Sequence, residues 1–427
     1  MIPAAGFVYA SCRFWRHRIE STSNPRIKKV LAFKMSSPII VDVGNLALSD
    51  FNDQPYRTTT LTKLKLFRQY VEQWLPVFIS DGHRSAEQVN IVDFFSGSGT
   101  DIDGNPGTPL LLLDLVSKHL LRNSHWRGTI LIHLNDIKAK KIKHLQNTIE
   151  YGGYAPNSAK VKIIYHNDRF LDLFGQIVHR MNTPGCANLL FMDQSGNFQF
   201  TRTVFNQLME LKRTDALVFF ASYFLHRFKH LPDFFQGFPG LRAHLLKVDR
   251  QHVHEAVKDY LCSLVPTDKE YYVGRYTLRN TDDASRVYGV IFCSPHVHGI
   301  TKFVRCASKL DEDQDHGDHD ESRQSDATLP LFPGQFEEPE LGSRRMREIQ
   351  DFKVSLQKKI LSRKLKTDRD VAIDCITNGF VFKHGRSVVK VMMEDGLILN
   401  RLRISEEAIL GKQAAREILL NHDKVKD

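Results

Sequence analysis

The sequence has no cysteine pair at Cys-x-x-Cys spacing. Its six cysteines, Cys12, Cys186, Cys262, Cys293, Cys306 and Cys375, are scattered, so neither a thiolate zinc site nor a disulfide framework is indicated. Buried reduced thiols in a cytoplasmic setting are the expectation. No apolar run approaches the roughly 18 residues of a membrane helix, and no membrane segment is expected. There is no Gly-x-Ser-x-Gly turn for a serine nucleophile. Histidines pair without a third ligand: His226 and His230 share helical spacing but no matching carboxylate, and His296 and His298 flank one turn. No metal site is expected. Acidic residues are the scarcer charge, 49 against 59 basic ones. The net charge of +10 favours an anionic partner without choosing among nucleic acid, headgroups or ribosomes.

What is present centres on Ile91-Val92-Asp93-Phe94-Phe95-Ser96-Gly97-Ser98-Gly99-Thr100. An apolar strand carrying one carboxylate runs into a glycine turn. Gly97 and Gly99 allow a ligand to approach the backbone where Cβ atoms would obstruct it. The third glycine of a dinucleotide fingerprint is absent, and so is the lysine of a phosphate-binding loop. The spacing suits a nucleoside cofactor without a pyrophosphate, notably S-adenosylmethionine, with Asp93, Ser96, Gly97 and Gly99 around it. A plain tight turn is the alternative.

The 427 residues, 42% of them hydrophobic, suffice for two or three domains. Residues 1–57 form a basic extension and lead-in; a start at Met35 and a targeting segment are both compatible with residues 1–34. A helix over 60–79 carries Leu64, Phe67, Tyr70, Val71, Trp74 and Leu75 on one stripe, with Thr60 or Thr62 as cap and Pro76 disturbing its end. Lys63, Lys65 and Arg68 fall off that stripe and read as a solvated face, with part of a substrate-binding surface as the alternative. After the glycine turn, Asp101 and Asp103 either approach a ligand or close local turns. Thr108 is the expected cap of a helix over 110–121.

Further strands are expected at 128–135, 161–165, 187–192 and 215–221, separated by helices, with two more at 271–278 and 287–293. This alternation implies a doubly wound, Rossmann-like parallel sheet over 58–310 with an antiparallel edge. Ligand groups collect at strand ends in such sheets. Asp136 is the candidate for ribose hydroxyls. Asp168 is the candidate for an adenine amino group or, alternatively, a helix cap. Asp193-Gln194-Ser195-Gly196 is either a catalytic tetrad or a turn. Tyr223, Phe224 and Arg227 are candidates for stacking and phosphate contact, or are ordinary packing.

An acidic, Pro-containing segment over 311–347 reads as a flexible linker. Residues 348–427 read as a small winged helix-turn-helix with Asp368 as a cap, Gly379 as a stop, and Lys383, His384, Arg386 and Lys390 as nucleic-acid-facing candidates. A protein-interaction module is the alternative. Oligomeric state is left open.

Taken in order, Lys63-Leu64-Lys65-Leu66, Asp93 through Gly99, Gly107-Thr108-Pro109, Asp136 and Asp193 through Gly196 resemble the bacterial three-Cys-motif partner proteins (TcmP). The resemblance covers roughly 58–310 and 348–410. It implies a class I methyltransferase-like fold, S-adenosylmethionine as cofactor, and a radical S-adenosylmethionine protein as partner. The net positive charge and the winged-helix-like unit, rather than the resemblance, make RNA or DNA the candidate methyl acceptor and partner. Members carry Asp-Pro-aromatic-Gly after the fourth strand. Here Asp193-Gln194-Ser195-Gly196 departs from it, which sets amino-group methylation by the usual route in question. A noncatalytic partner protein is the second reading.

Overall fold

In the computed structural model, residues 54–427 are described apart from 81, 83, 195–198, 221, 251, 279–287, 323–343, 413, 422 and 425–427. Ser195, Gly196, Phe198, the basic segment over 1–34 and the polar turn from Arg279 to Asp283 thus lie outside the described residues.

Seven strands form one sheet: β1 Gln88–Asp93, β2 Thr129–Asn135, β3 Val161–His166, β4 Cys186–Asp193, β5 Thr214–Phe220, β6 Tyr272–Leu278 and β7 Tyr288–Ser294. Their order is β3-β2-β1-β4-β5-β7-β6. The β1–β5 pairings are parallel, and β7 pairs antiparallel with both β5 and β6. The central strands are apolar on both faces because helices cover both faces. Along β4, Ala187, Leu189 and Phe191 enter one core while Leu190 and Met192 enter the other.

The first core is closed by α1 Thr58–Ile79 and α2 Thr108–Arg122, with Leu145 and Ile149 of α3 Ala139–Tyr151. The second is closed by α4 Phe170–Ile177, α5 Arg202–Met209, α6 Ser222–Phe228, α7 Leu241–Leu245 and α8 Val253–Ser263. Helix α1 runs to Ile79 with Pro76, the residue expected to disturb its end, inside it; Leu75 and Ile79 are buried on either side. The residue preceding it is Arg57, with no side-chain cap, so neither expected threonine serves. The cap of α2 is Gly107, and Thr108 is already helical.

After β7, α9 runs from Val297 to Ser322 and α10 from Arg344 to Leu361. The acidic stretch therefore begins as helix rather than as linker. Asp311 shows the reason: it is 5% exposed, accepts a hydrogen bond from the Tyr276 hydroxyl at 3.1 Å, and pairs with Arg345 Nε at 2.9 Å. Arg345 also donates to the Gly379 carbonyl at 3.0 Å and lies over the Phe380 ring.

A helix–turn–helix follows, α11 Asp368–Thr377 and α12 Phe382–Glu394, then α13 Glu406–Ile409. Thr367, not Asp368, caps α11, in a reciprocal capping box with Asp370. Gly379 sits at φ +82 in the turn between α11 and α12, a conformation that favours glycine. Among the described residues, the wing is reduced to isolated bridges, Thr367 with Glu417 and Ile398 with Leu420. Among the described residues, no helix is long and apolar enough to cross a membrane.

Candidate functional site

The strand order reverses between β1 and β4, and a crevice at the carboxyl ends of an open sheet forms at such a switch point. Asp93 ends β1 and Asp193 ends β4. Asp93 is 1% exposed. Its Oδ1 accepts from the Phe95 N–H at 3.0 Å, while Oδ2 has no hydrogen-bond partner among the described residues. Burial pushes this carboxyl up to about 8, and the neighbouring Asp193 carboxylate adds to the rise, against the Phe95 N–H and Lys63.

Asp193 forms an ion pair with Lys63 of α1. Their side chains retain 15% (Lys63) and 28% (Asp193) exposure, so the pair is half-sheltered and reachable. Lys63 Nζ also lies 5.2 Å from the centre of the Phe219 ring. The solvated-face reading of Lys63 is therefore corrected. Leu64, Leu66 and Phe67 anchor α1 on the sheet, and Lys63 on its first turns reaches over the sheet end. The Tyr56 phenol belongs to the same group of charges. Its pKa is raised by burial and then by Asp101, Asp193 and Asp93, which keeps it protonated.

The glycine turn has the expected geometry. Gly97 and Gly99 adopt φ +64 and +93. A Cβ on Gly99 would lie 2.7 Å from Leu145 Cδ1, and one on Gly107 would lie 3.0 Å from the Gly99 carbonyl. Gly107 N–H donates to that carbonyl at 2.7 Å, closing the loop. Asp101 is committed to the loop: it accepts from Tyr56 N, Asp103 N, Asn105 N and Asn105 Nδ2. Of the two expected roles, turn closure is the one observed.

Asn135 was not anticipated. It is 1% exposed, and its Nδ2 donates to the carbonyls of Phe94 (3.0 Å) and Asp168 (3.1 Å). Its Oδ1 accepts from Asp168 N at 3.0 Å. One amide thus ties the ends of β1, β2 and β3 together. Ser96 completes the tie: it donates from N to the Asn135 carbonyl, and its Oγ accepts from Asn135 N and donates to the Asp93 carbonyl. The Ser96 hydroxyl is engaged within the loop, so Ser96 shapes the turn.

Asp136, adjacent to this hub, accepts from Lys138 N at 2.8 Å through Oδ1. Asp168 does not cap α4, whose cap position is Arg169. Its Oδ2 stands 3.9 Å from His166 Nδ1. His166 stacks on His133 with ring nitrogens 2.9 Å apart, and burial holds His133 down to about 4, so this pair is neutral. Gln194 is 6% exposed and its Oε1 accepts from Gln199 N and Phe200 N. Its Nε2 has no partner among the described residues. The sheet thus gathers Asp93, Ser96, Gly97, Gly99, Asp136, Asp168, Asp193 and Gln194 at its carboxyl ends. Phe224 and Arg227 lie on α6 after β5, where Phe224 stacks on Phe228 and Arg227 covers that ring. Tyr223 is on the same helix, its side chain outside the described set. Lys383 and Arg386 are exposed on α12, where Arg386 Nη1 donates to the Ile404 carbonyl at 3.2 Å, whereas His384, expected to face a nucleic acid, is buried.

No protein-family model matches the chain, and no curated protein matches it. Among solved structures it is similar to the O-methyltransferase TomG from Streptomyces achromogenes, in complex with SAM: 14% identity, 54% of this chain, 78% of that one, TM-score 0.31. An rRNA methylase from Streptococcus thermophilus gives 10% identity over 53% of this chain and 92% of that one, TM-score 0.28. Spermidine synthase from Thermotoga maritima gives 11% over 55% and 62%, TM-score 0.28. These likenesses are distant, and the strand order itself decides the assignment. Five parallel strands reversing between β1 and β4, closed by one antiparallel strand between β5 and β6, give this chain a doubly wound, Rossmann-like fold of the methyltransferase type.

Proposed function

We propose that the chain binds S-adenosylmethionine at the β1–β4 switch point and transfers its methyl group to a nucleic acid. The observation that carries this is the buried, half-unpartnered Asp93 carboxyl beneath a glycine cradle, with a second carboxylate across the crevice. A carboxyl without a partner fits a cationic ligand, and positive-φ glycines fit a ligand lying on the backbone. Gly97 and Gly99 would admit the cofactor, Asp136 would hold its ribose through the oxygen not used by Lys138, and Asp168 would meet the adenine amine. When bound, the cofactor supplies an electrophilic methyl group.

The chain's own residues orient the acceptor. Asp193 accepts a proton or a hydrogen bond, and Gln194 offers its amide N–H. Phe224 positions a base by stacking, and Arg227 holds a phosphate. On α12, Lys383 and Arg386 would contact the backbone of the polymer. Isothermal calorimetry tests the cofactor reading: saturable binding that falls at least tenfold in Asp136→Ala supports it, and no binding by the folded chain overturns it.

One observation favours the second reading, a noncatalytic, methyltransferase-like partner of a radical S-adenosylmethionine protein. The Asp193 carboxylate is already occupied by Lys63. Labelled cofactor incubated with RNA, DNA and protein pools, with and without such a partner, separates the two: stable association without transfer selects the scaffold.

A further inference from the structure

We infer that the crevice is built for an oxygen acceptor, and that within nucleic acid this selects the ribose 2′-hydroxyl of RNA. The inference rests on the methyl-transfer reading above and deepens it. An exocyclic amine needs acceptor groups around its N–H bonds so that its lone pair faces the methyl group. Few acceptors are left here for two N–H bonds: Asp93 lies beneath the cofactor cradle, and Lys63 engages Asp193 Oδ2, which leaves Oδ1 for a single proton. Gln194 Oε1 takes two backbone N–H groups. What the strand end presents instead is donors: the Lys63 ammonium, the unengaged Gln194 Nε2 and the protonated Tyr56 phenol nearby.

Donors beside one carboxylate suit a hydroxyl that becomes negative as it reacts. Asp193 takes the proton, and Lys63 faces the developing charge on oxygen. Lys63 is held for this from a helix packed on the sheet, between the Asp193 carboxylate and the Phe219 ring, rather than from a loop. In the step, an oxygen lone pair makes the new O–CH3 bond. The S–CH3 bond breaks with its electron pair on sulfur, and the hydroxyl proton passes to Asp193. The products are a methyl ether, a neutral thioether and a protonated carboxyl, which returns its proton to water. DNA has no 2′-hydroxyl and is not an acceptor.

The full chain is incubated with methyl-labelled cofactor and an oligoribonucleotide pool, its 2′-deoxy counterpart, or its 2′-O-methyl counterpart. Alkaline hydrolysis then separates ribose methylation, which leaves labelled alkali-resistant dinucleotides, from base methylation, which leaves labelled mononucleotides. Label confined to dinucleotides from RNA is expected, falling about 100-fold or more in Lys63→Met and recovering in part in Lys63→Arg. Cofactor binding by calorimetry stays within about threefold in both variants, which shows that they are folded.

A readout without turnover uses sinefungin, a non-transferable cofactor analogue. With it bound, the protein prefers RNA over the 2′-deoxy polymer by about tenfold in anisotropy, and Lys63→Met abolishes the preference. Label in mononucleotides or in DNA overturns the oxygen acceptor and leaves methyl transfer standing. Equal affinity for the two polymers also overturns it. Cofactor binding without transfer to any pool overturns both.

Discussion

Replacing Asp93 by asparagine probes the centre of the site through stability, with no substrate required. Asp93 is buried, with its folded-state pKa pushed up to about 8, whereas an unfolded aspartate titrates near about 3.9. Between those two values the folded chain holds a proton that the unfolded chain releases. Its contribution is complete below about pH 4 and is lost as pH rises through about 8. The loss runs at about 1.4 kcal/mol per pH unit, about 6 kcal/mol across the whole window.

An asparagine side chain has the same shape and no proton to lose. Subtracting the stability curve of the Asp93→Asn variant from the wild-type curve should therefore leave a line falling by about 1.4 kcal/mol per unit from pH 5 to 8. Urea unfolding followed by tryptophan fluorescence measures it, with the buried Trp74 and Trp126 as reporters. Parallel curves for the two proteins would refute the argument that Asp93 is neutral in the ligand-free fold. At pH 7, arrival of a cationic ligand should ionise Asp93 and release up to one proton. Calorimetry in phosphate and in Tris reads that proton as a buffer-dependent heat, absent in Asp93→Asn.

Asn135→Ala strips the partners from the Phe94 and Asp168 carbonyls and from Asp168 N–H, and should cost about 2–4 kcal/mol by thermal unfolding, with cofactor affinity falling alongside. Gly99→Ala forces φ +93 on a residue with a Cβ only 2.7 Å from Leu145 Cδ1; a loss of about 1–3 kcal/mol by the same assay is expected. Lys383→Ala and Arg386→Ala should each lower the slope of log affinity for RNA against log salt by about one, and unchanged slopes would remove α12 from the polymer interface.

The strands are readable because buried parallel strands are nearly continuous apolar runs, as β1, β2, β4 and β5 are, while β3 at the sheet edge is half-buried and carries the exposed Lys162. The glycine turn was readable because its φ values demand glycine. Lys63 was not, since helical periodicity separates apolar from polar positions but cannot say which polar side chain reaches a strand end far along the chain. Asn135 was passed over for the charged Asp136 beside it, although the uncharged amide can donate and accept at once, as the junction of three strands requires. Asp311 opens a composition typical of linkers, and its partners Arg345 and Tyr276, distant along the chain, explain its burial. Asp168 illustrates the limit of local rules: it stands where helix caps stand, yet the hub at Asn135 takes its backbone and α4 starts without a side-chain cap.

The Arg345 side chain has a mechanical consequence. It grips Asp311 of α9, the Gly379 carbonyl between α11 and α12, and the Phe380 ring at once. A guanidinium locked at three points fixes angles as well as distance. The helix–turn–helix is therefore bolted to the sheet through its own turn, and α12 keeps one bearing relative to β6. A polymer gripped by α12 would leave it in a set direction, so which nucleotide meets the crevice would be a matter of length counted along the strand, as with a jig that holds the work at a fixed offset from the tool.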